Sequence, residues 1–209
     1  MRKQLEDTLE ARWLQAQIQP HFIFNTLNSI SALSDIDPIK MQHLIGHFSD
    51  LLRSKFDTGS LNRFTSLQEE LSITESYLFI EKVRFGKRLK IIWDIDEDIS
   101  EFFQPTLTIQ PIVENALKHG VVKQTRGDTI EVRAEKDQYN MKITIKDDGI
   151  GMKKETVDYL NTMKFEESHR IGITNTNRRL KKAFGKGLRI KSEVGAGTEV
   201  SFIIFRSYG

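Results

Sequence analysis

Three short stretches in the second half of the chain carry residue types that suit phosphate, a divalent metal or an exocyclic amine. In ENALKHG, residues 114–120, the side chains of Asn115, Lys118 and His119 recur at spacings of three and four, so a helix sets them on one side. An amide oxygen is a hard ligand suited to magnesium, and a lysine one turn on offers a point charge to phosphate oxygens. In DDGIG, residues 147–151, the carboxylate of Asp147 precedes Gly149 and Gly151 directly after a strand pattern. Those glycines permit a tight turn and close approach of a ligand to the backbone, and the carboxylate can accept a hydrogen bond from an amine such as that of adenine. The third cluster pairs RIGITN, residues 170–175, at a helix start, with GAGT, residues 195–198, between two strand patterns. Gly172 there leaves backbone N–H groups open to a phosphate. Taken singly, each stretch also reads as a solvated helix end or a turn; in this order and on these elements they are harder to explain separately.

A fourth stretch, QAQIQPHFIFNTLNSI at residues 15–30, sets Pro20 immediately before His21 in an otherwise apolar helical pattern. Imidazole, with an ordinary pKa near 6.5, is largely neutral at pH 7 and so available as a nucleophile. Pro20 removes a backbone donor and tends to kink a helix, which would expose the ring. The structural alternative is a core histidine bonded to Asn25 or Asn28. Of the other four histidines, His119 belongs to the first cluster and His169 lies between the second and third. His43 and His47 form an i, i+4 pair that lacks a third ligand nearby and is read as packed or solvated.

The elements that must position these groups follow from periodicity. Residues 3–34 read as one long helix, with Leu5, Leu9 and Trp13 at intervals of four, and Pro38 opens a second helix to Phe56 after the turn SDIDP. On a helical wheel Ile23, Leu27 and Ile30 form one apolar face, flanked by Phe22, Ile18, Leu33 and Phe24, with one polar strip of Gln17, His21, Asn25 and Asn28. A helix so apolar must be buried, most simply in a four-helix bundle built from two copies of the hairpin. After the turn-rich DTGSLNRF, a helix with a Ser66-to-Glu69 capping box leads into strand patterns at 89–95, 129–135, 140–147, 188–194 and 198–205. Helical stretches lie between them, and hairpin-like pairs dominate. The expected fold is α+β: a helical hairpin over residues 1–58, then an α/β sandwich over 62–209 with a mixed sheet and helices on one face.

Composition narrows the class. The 209 residues, 38% hydrophobic and 29% charged, suit one large or two small globular domains. A formal net charge of +2 gives no basic excess of the kind that binds nucleic acid directly. With no cysteine there is neither a disulfide framework nor a thiolate metal site, in keeping with a reducing compartment, by default the cytoplasm. No run approaches the roughly eighteen apolar residues that cross a bilayer. The abrupt helical start suggests the soluble end of something longer.

ENALKHG, DDGIG, GITN and GAGT together resemble the N, G1 and G2 boxes and the terminal glycine motif of the GHKL ATP-binding fold, shared by gyrase, heat-shock chaperones and histidine kinases. LQAQIQPHFIFNTLNSI resembles the phosphoacceptor helix of the LytS/YehU type of bacterial sensor histidine kinase, and the likeness extends over nearly the whole chain. The resemblance implies ATP and magnesium as cofactors, with Asn115 holding the metal and Lys118 and His119 near the phosphates. Asp147 would bind the adenine amine; Gly149, Gly151, Gly172, Asn175, Gly197 and Thr198 would shape the pocket; residues 152–169 would be the lid. It further implies phosphorylation of His21, oriented by Asn25, in a homodimer, then transfer to an aspartate of a response regulator, usually of the DNA-binding LytTR kind. Any membrane attachment would come through a sensor portion absent from this chain. The sequence departs from the common pattern at two points. Phe22 stands where many histidine kinases have an acidic residue that could act as base, and Arg170 stands where the first G2 glycine is usual, with two readings open: a clamp on phosphate or an obstruction of the lid. Alternatives are a dimeric scaffold that binds nucleotide without turnover, a kinase for a partner's serine, and a simple ATPase.

Overall fold

The computed structural model describes residues 20–56, 64–121, 128–162 and 171–206. The residues ahead of Pro20, and with them the expected kink, lie outside this set, as do the side chain of His119, the surroundings of Gly172 and the whole of Arg170. The chain divides into two compact units, one of residues 1–60 with 75–86, the other of residues 61–74 with 87–209.

In the first unit, α1 (Pro20–Leu33) and α2 (Pro38–Phe56) form the expected hairpin. Proline suits the first turn of α2 because its missing N–H is not needed there, and Asp37 caps the helix by accepting the Lys40 N–H at 3.0 Å. The hairpin packs on the second half of α3 (Leu67–Phe85), where Tyr77, Leu78 and Ile80 are buried with Leu44, Phe48 and Leu51 of α2. Phe22 joins them, its ring 5.6 Å from Tyr77 and 6.4 Å from Phe48. This packing covers one flank of α1 only: Phe24 is 66% exposed and Leu27 48%.

The second unit begins with two short strands that periodicity does not reveal, β1 (Phe64–Ser66) and β3 (Phe103–Pro105), paired antiparallel. Three residues are too few to show an alternation. Ser66 accepts the Glu69 N–H at 3.1 Å, as the capping box requires, while the Glu69 carboxylate takes the Thr65 hydroxyl. The main sheet is mixed, in the order β2 (Leu89–Ile95), β4 (Asp128–Asp137), β5 (Asn140–Asp147), β7 (Gly197–Phe205), β6 (Arg189–Glu193). Only β2 and β4 run parallel; the remaining pairs are antiparallel.

Alternate positions of the sheet separate its faces. Ile130, Val132, Ala134, Met141, Ile143, Ile145, Val200, Phe202 and Ile204 are buried, beneath α4 (Ile109–Asn115) with its continuation to Val121, α5 (Lys154–Thr162) and α6 (Ile171–Phe184). The other face carries a row of alternating charge, Glu131, Lys146, Glu199 and Lys191, on four neighbouring strands. Such cross-strand pairs are worth a few tenths of a kcal/mol each, about 0.2–1, and hold register as much as stability. Asn161 of α5 closes edge strand β6 by donating to the Ile190 carbonyl at 2.8 Å and accepting its N–H at 3.0 Å, so that edge is not left open to another chain.

Two glycines fix where β5 ends and β7 begins. At Gly197, φ is 86° and a Cβ would lie 2.0 Å from the Asp147 carbonyl oxygen; at Gly151, φ is 65° and a Cβ would lie 1.8 Å from the Glu193 carbonyl oxygen. The sequence pattern gives Gly149 and Gly151 to a tight turn and the close approach of a ligand; at Gly151 and Gly197 a Cβ would meet the chain's own backbone. Gly195 has a φ of 82° but open space around it. Gly197→Ala is therefore expected to cost more than about 3 kcal/mol, from strain and overlap together, and Gly195→Ala about 1–2 kcal/mol, from strain alone. Urea unfolding of the two variants checks the difference, and equal losses would remove the close approach from the account.

Candidate active site

His21 projects from α1 into solvent, with the Asn25 Nδ2 group 3.1 Å from its Nδ1 and 3.4 Å from its Nε2. One helical turn separates the two residues, so the amide reaches both ring nitrogens without help from another element. Of the expected polar strip, Asn28 is exposed and has no part in this contact. His47 is packed as expected, its Nδ1 3.1 Å from the Ser76 hydroxyl and its ring centroid 4.3 Å from that of Phe79. His43 is exposed, and among the described residues no group of three or more histidine, aspartate or glutamate side chains could hold a metal.

In the second unit the end of β5 is the centre of the site. Asp147 is 4% exposed, and its Oδ1 accepts the Gly149 N–H at 3.0 Å. Burial pushes its carboxyl up to about 6, against the opposing pull of the Gly149 and Thr198 N–H groups. A buried carboxylate gains from any further hydrogen-bond donor, which an amine-bearing ligand can bring. Thr198 lies directly across the ladder from Asp147. Its hydroxyl meets Ser192 Oγ at 2.9 Å, and Ser192 also donates to the Gly197 carbonyl at 2.7 Å and accepts the Met152 N–H at 2.8 Å. Ser192 thus ties the segment after DDGIG to GAGT. Sequence reasoning passed over it, since it is an ordinary strand residue whose partner Met152 is remote in the chain.

α4 carries the ENALKHG residues, but its regular part stops at Asn115 and Ala116–Val121 forms a π-helix. Short π segments are common at functional sites. The Lys118 ammonium lies 3.5 Å from Glu114, one turn earlier, whose other oxygen takes the Gln110 amide at 2.9 Å. Asn115 is half-buried. On α6, Asn175 accepts from Arg178 at 3.3 Å. Part of the expected lid is packed structure: α5 buries Val157 and Leu160, while residues 163–170 lie outside the described set. Asp147, Gly149, Gly151, Gly197 and Thr198 are brought together, and the donor set of carboxylate, amide and lysine suits a magnesium nucleotide.

Two family profiles match this chain: histidine kinase over residues 9–89, and the histidine kinase-, DNA gyrase B- and HSP90-like ATPase over residues 104–207. The helical hairpin and the ATPase-type sheet fall within the histidine kinase family and its ATPase class. The protein YwpD of Bacillus subtilis strain 168 is 43% identical over 198 residues, which are 94% of this chain and 70% of YwpD. The sensor protein LytS of Staphylococcus saprophyticus is 37% identical across 93% of this chain, and the sensor histidine kinase YpdA of Escherichia coli K12 31% across 97%. The chain belongs to the two-component sensor kinases of the LytS type, and it spans 33% of that LytS and 35% of YpdA. Among solved structures, the catalytic domain of the histidine kinase ThkA aligns with a TM-score of 0.53 at 15% identity, over 69% of this chain and 95% of that one. The histidine kinase domain of the Erythrobacter litoralis blue-light activated kinase aligns at 0.50 and 16%, over 93% and 91%. At these identities the likeness is one of fold.

The raised carboxyl of Asp147 has a consequence for stability. Between its unfolded value near 3.8 and about 6 the folded chain holds a proton that the unfolded chain has lost, so this group lowers stability as pH rises through that window. Asp147→Asn is expected to stabilise the ligand-free chain by about 1–2 kcal/mol at pH 7 and by little at pH 4. Melting curves at both pH values check this, and a gain that does not grow with pH would contradict it.

Proposed function

We propose that this chain phosphorylates itself on His21 with ATP and passes the phosphoryl group to an aspartate of a response regulator. The observation that carries the proposal is a solvent-facing imidazole in contact with the Asn25 amide, in a chain whose second unit sets a buried, proton-hungry carboxylate among glycine turns. In the reaction a ring nitrogen of His21 attacks the γ-phosphorus in line, the bond to the ADP oxygen breaks, and the proton on the attacking ring leaves to solvent. Asn25 orients the ring but has no basicity to take that proton. Asp147 accepts the adenine amine, Thr198 and the glycine turns bound the base, and Asn175 serves the phosphate side, to which the family resemblance also assigns Gly172, Arg170 and His119. Asn115 would hold magnesium, which when bound neutralises phosphate charge. Lys118 must leave Glu114 to contribute its own charge.

A homodimer is part of the proposal, because the exposed Phe24, Leu27, Ile39 and Ile45 of the hairpin need a cover and a second hairpin supplies the same apolar chemistry. The partner downstream is a response regulator, of the LytTR kind, rather than nucleic acid. No helix among the described residues is long and apolar enough to cross a membrane. The chain would act in the cytoplasm, with any membrane contact through a sensor portion.

The test is incubation with γ-labelled ATP and magnesium. The expected label is acid-labile, alkali-stable, absent from His21→Gln and reduced at least about a hundredfold in Asn115→Ala, where the metal ligand is lost. Nucleotide binding with no label on the parent chain would favour the scaffold; label surviving in His21→Gln would move the acceptor elsewhere.

A further inference from the structure

The helix that carries Asn115 starts without a cap of its own. Thr108, at the cap position, has a helical backbone and makes no capping bond; its hydroxyl donates instead to the Pro105 carbonyl. The residue before it, Leu107, has a φ of 54°, the one positive value at a non-glycine residue among those described. A branched side chain in that region costs about 1–2 kcal/mol, so something must hold the turn.

Two side chains from other helices do so. Glu70 of α3, fully buried, accepts the Leu107 N–H at 2.8 Å on one oxygen and the Ile109 and Gln110 N–H groups at 2.8 and 3.4 Å on the other. From α6, Arg179 donates to the Thr106 carbonyl and, at 2.6 Å, to that of Leu107. The turn's donors go to an acid and its acceptors to a base. Burial drives the Glu70 carboxyl up while the N–H groups of residues 107–110 pull it down, and burial lowers Arg179 while the Glu70 charge opposes that. Keeping two such groups from water is costly unless their bonds to the turn are made.

Resting on the nucleotide reading above, we propose that Glu70 and Arg179 are positioning residues for the magnesium nucleotide. They clamp the 106–108 turn, and through it hold the Asn115-bearing helix against the helix that opens at Gly172. Nucleotide binding needs both helices at once: the first offers the metal ligand, the second its N-terminal N–H groups. Arg179 is the side chain that spans from one to the start of the other.

Glu70→Gln keeps the shape but puts an amide N–H donor where an acceptor is required, and Arg179→Lys keeps the charge but cannot bridge two carbonyls. ADP affinity is measured by calorimetry with magnesium and with EDTA, alongside hydrogen exchange of the nucleotide-free chain. In each variant the gain in affinity that magnesium gives should shrink about tenfold, as one lost buried bond costs, while the affinity in EDTA stays within about twofold. Exchange should quicken over residues 109–121 and not in β4 or β5. Parallel losses with and without magnesium, or quickened exchange throughout the sheet, would reduce the clamp to general stability and overturn the proposal. A parent that binds no nucleotide removes the underlying reading and the role with it; a parent that binds, with variants keeping its magnesium dependence, removes the clamp's role alone.

Discussion

The approach of the Gly197 backbone to the Asp147 carbonyl, so close that a Cβ would sit 2.0 Å from it, is the constraint on which the second unit is arranged. Because no side chain intervenes, the start of β7 lies flat against the end of β5, and Thr198 comes directly opposite Asp147. Ser192 can then reach both the Gly197 carbonyl and the Met152 N–H. The Asp147 carboxyl at that strand end is itself buried, and burial raises it.

Two buried carboxylates in this unit show different uses of the same penalty. Both are raised by burial and both are drawn back by backbone N–H groups. Glu70 has its two oxygens committed to three backbone donors, so it acts as an internal fixture. Asp147 sits at a strand end beside flexible-turn residues, less thoroughly satisfied, and is the one with chemistry left to offer a ligand.

Much of this was legible in the sequence because it rests on local periodicity and on residues with few conformational options. Strand alternation found β2 and β4 to β7, Pro38 and Ser66 marked helix starts, and the glycines of DDGIG and GAGT marked turns that only glycine can make. What escaped depends on contacts between distant segments. β1 and β3 are each three residues and exist through one another. The π segment after Asn115 leaves no mark in the residue pattern, which reads there as continuous helix. Glu70 did leave a signal: it falls on the same helical side as Leu67, Leu71 and Thr74, all buried, and an acid on such a side demands a partner. Nothing in the order of residues, however, says that the partner is a turn at Leu107.

The parallel pairing of β2 with β4 also governs how the unit comes together. The β4–β5 and β6–β7 hairpins close over short turns and can form early, whereas β2 meets β4 only after the intervening chain, with β3 and α4, has crossed over. Long closures are slow because their entropy is lost before their contacts are gained. The helix with Asn115 lies inside that crossover, so it settles among the last elements, and a partly folded chain can possess a well-formed hairpin sheet while lacking half of its nucleotide site.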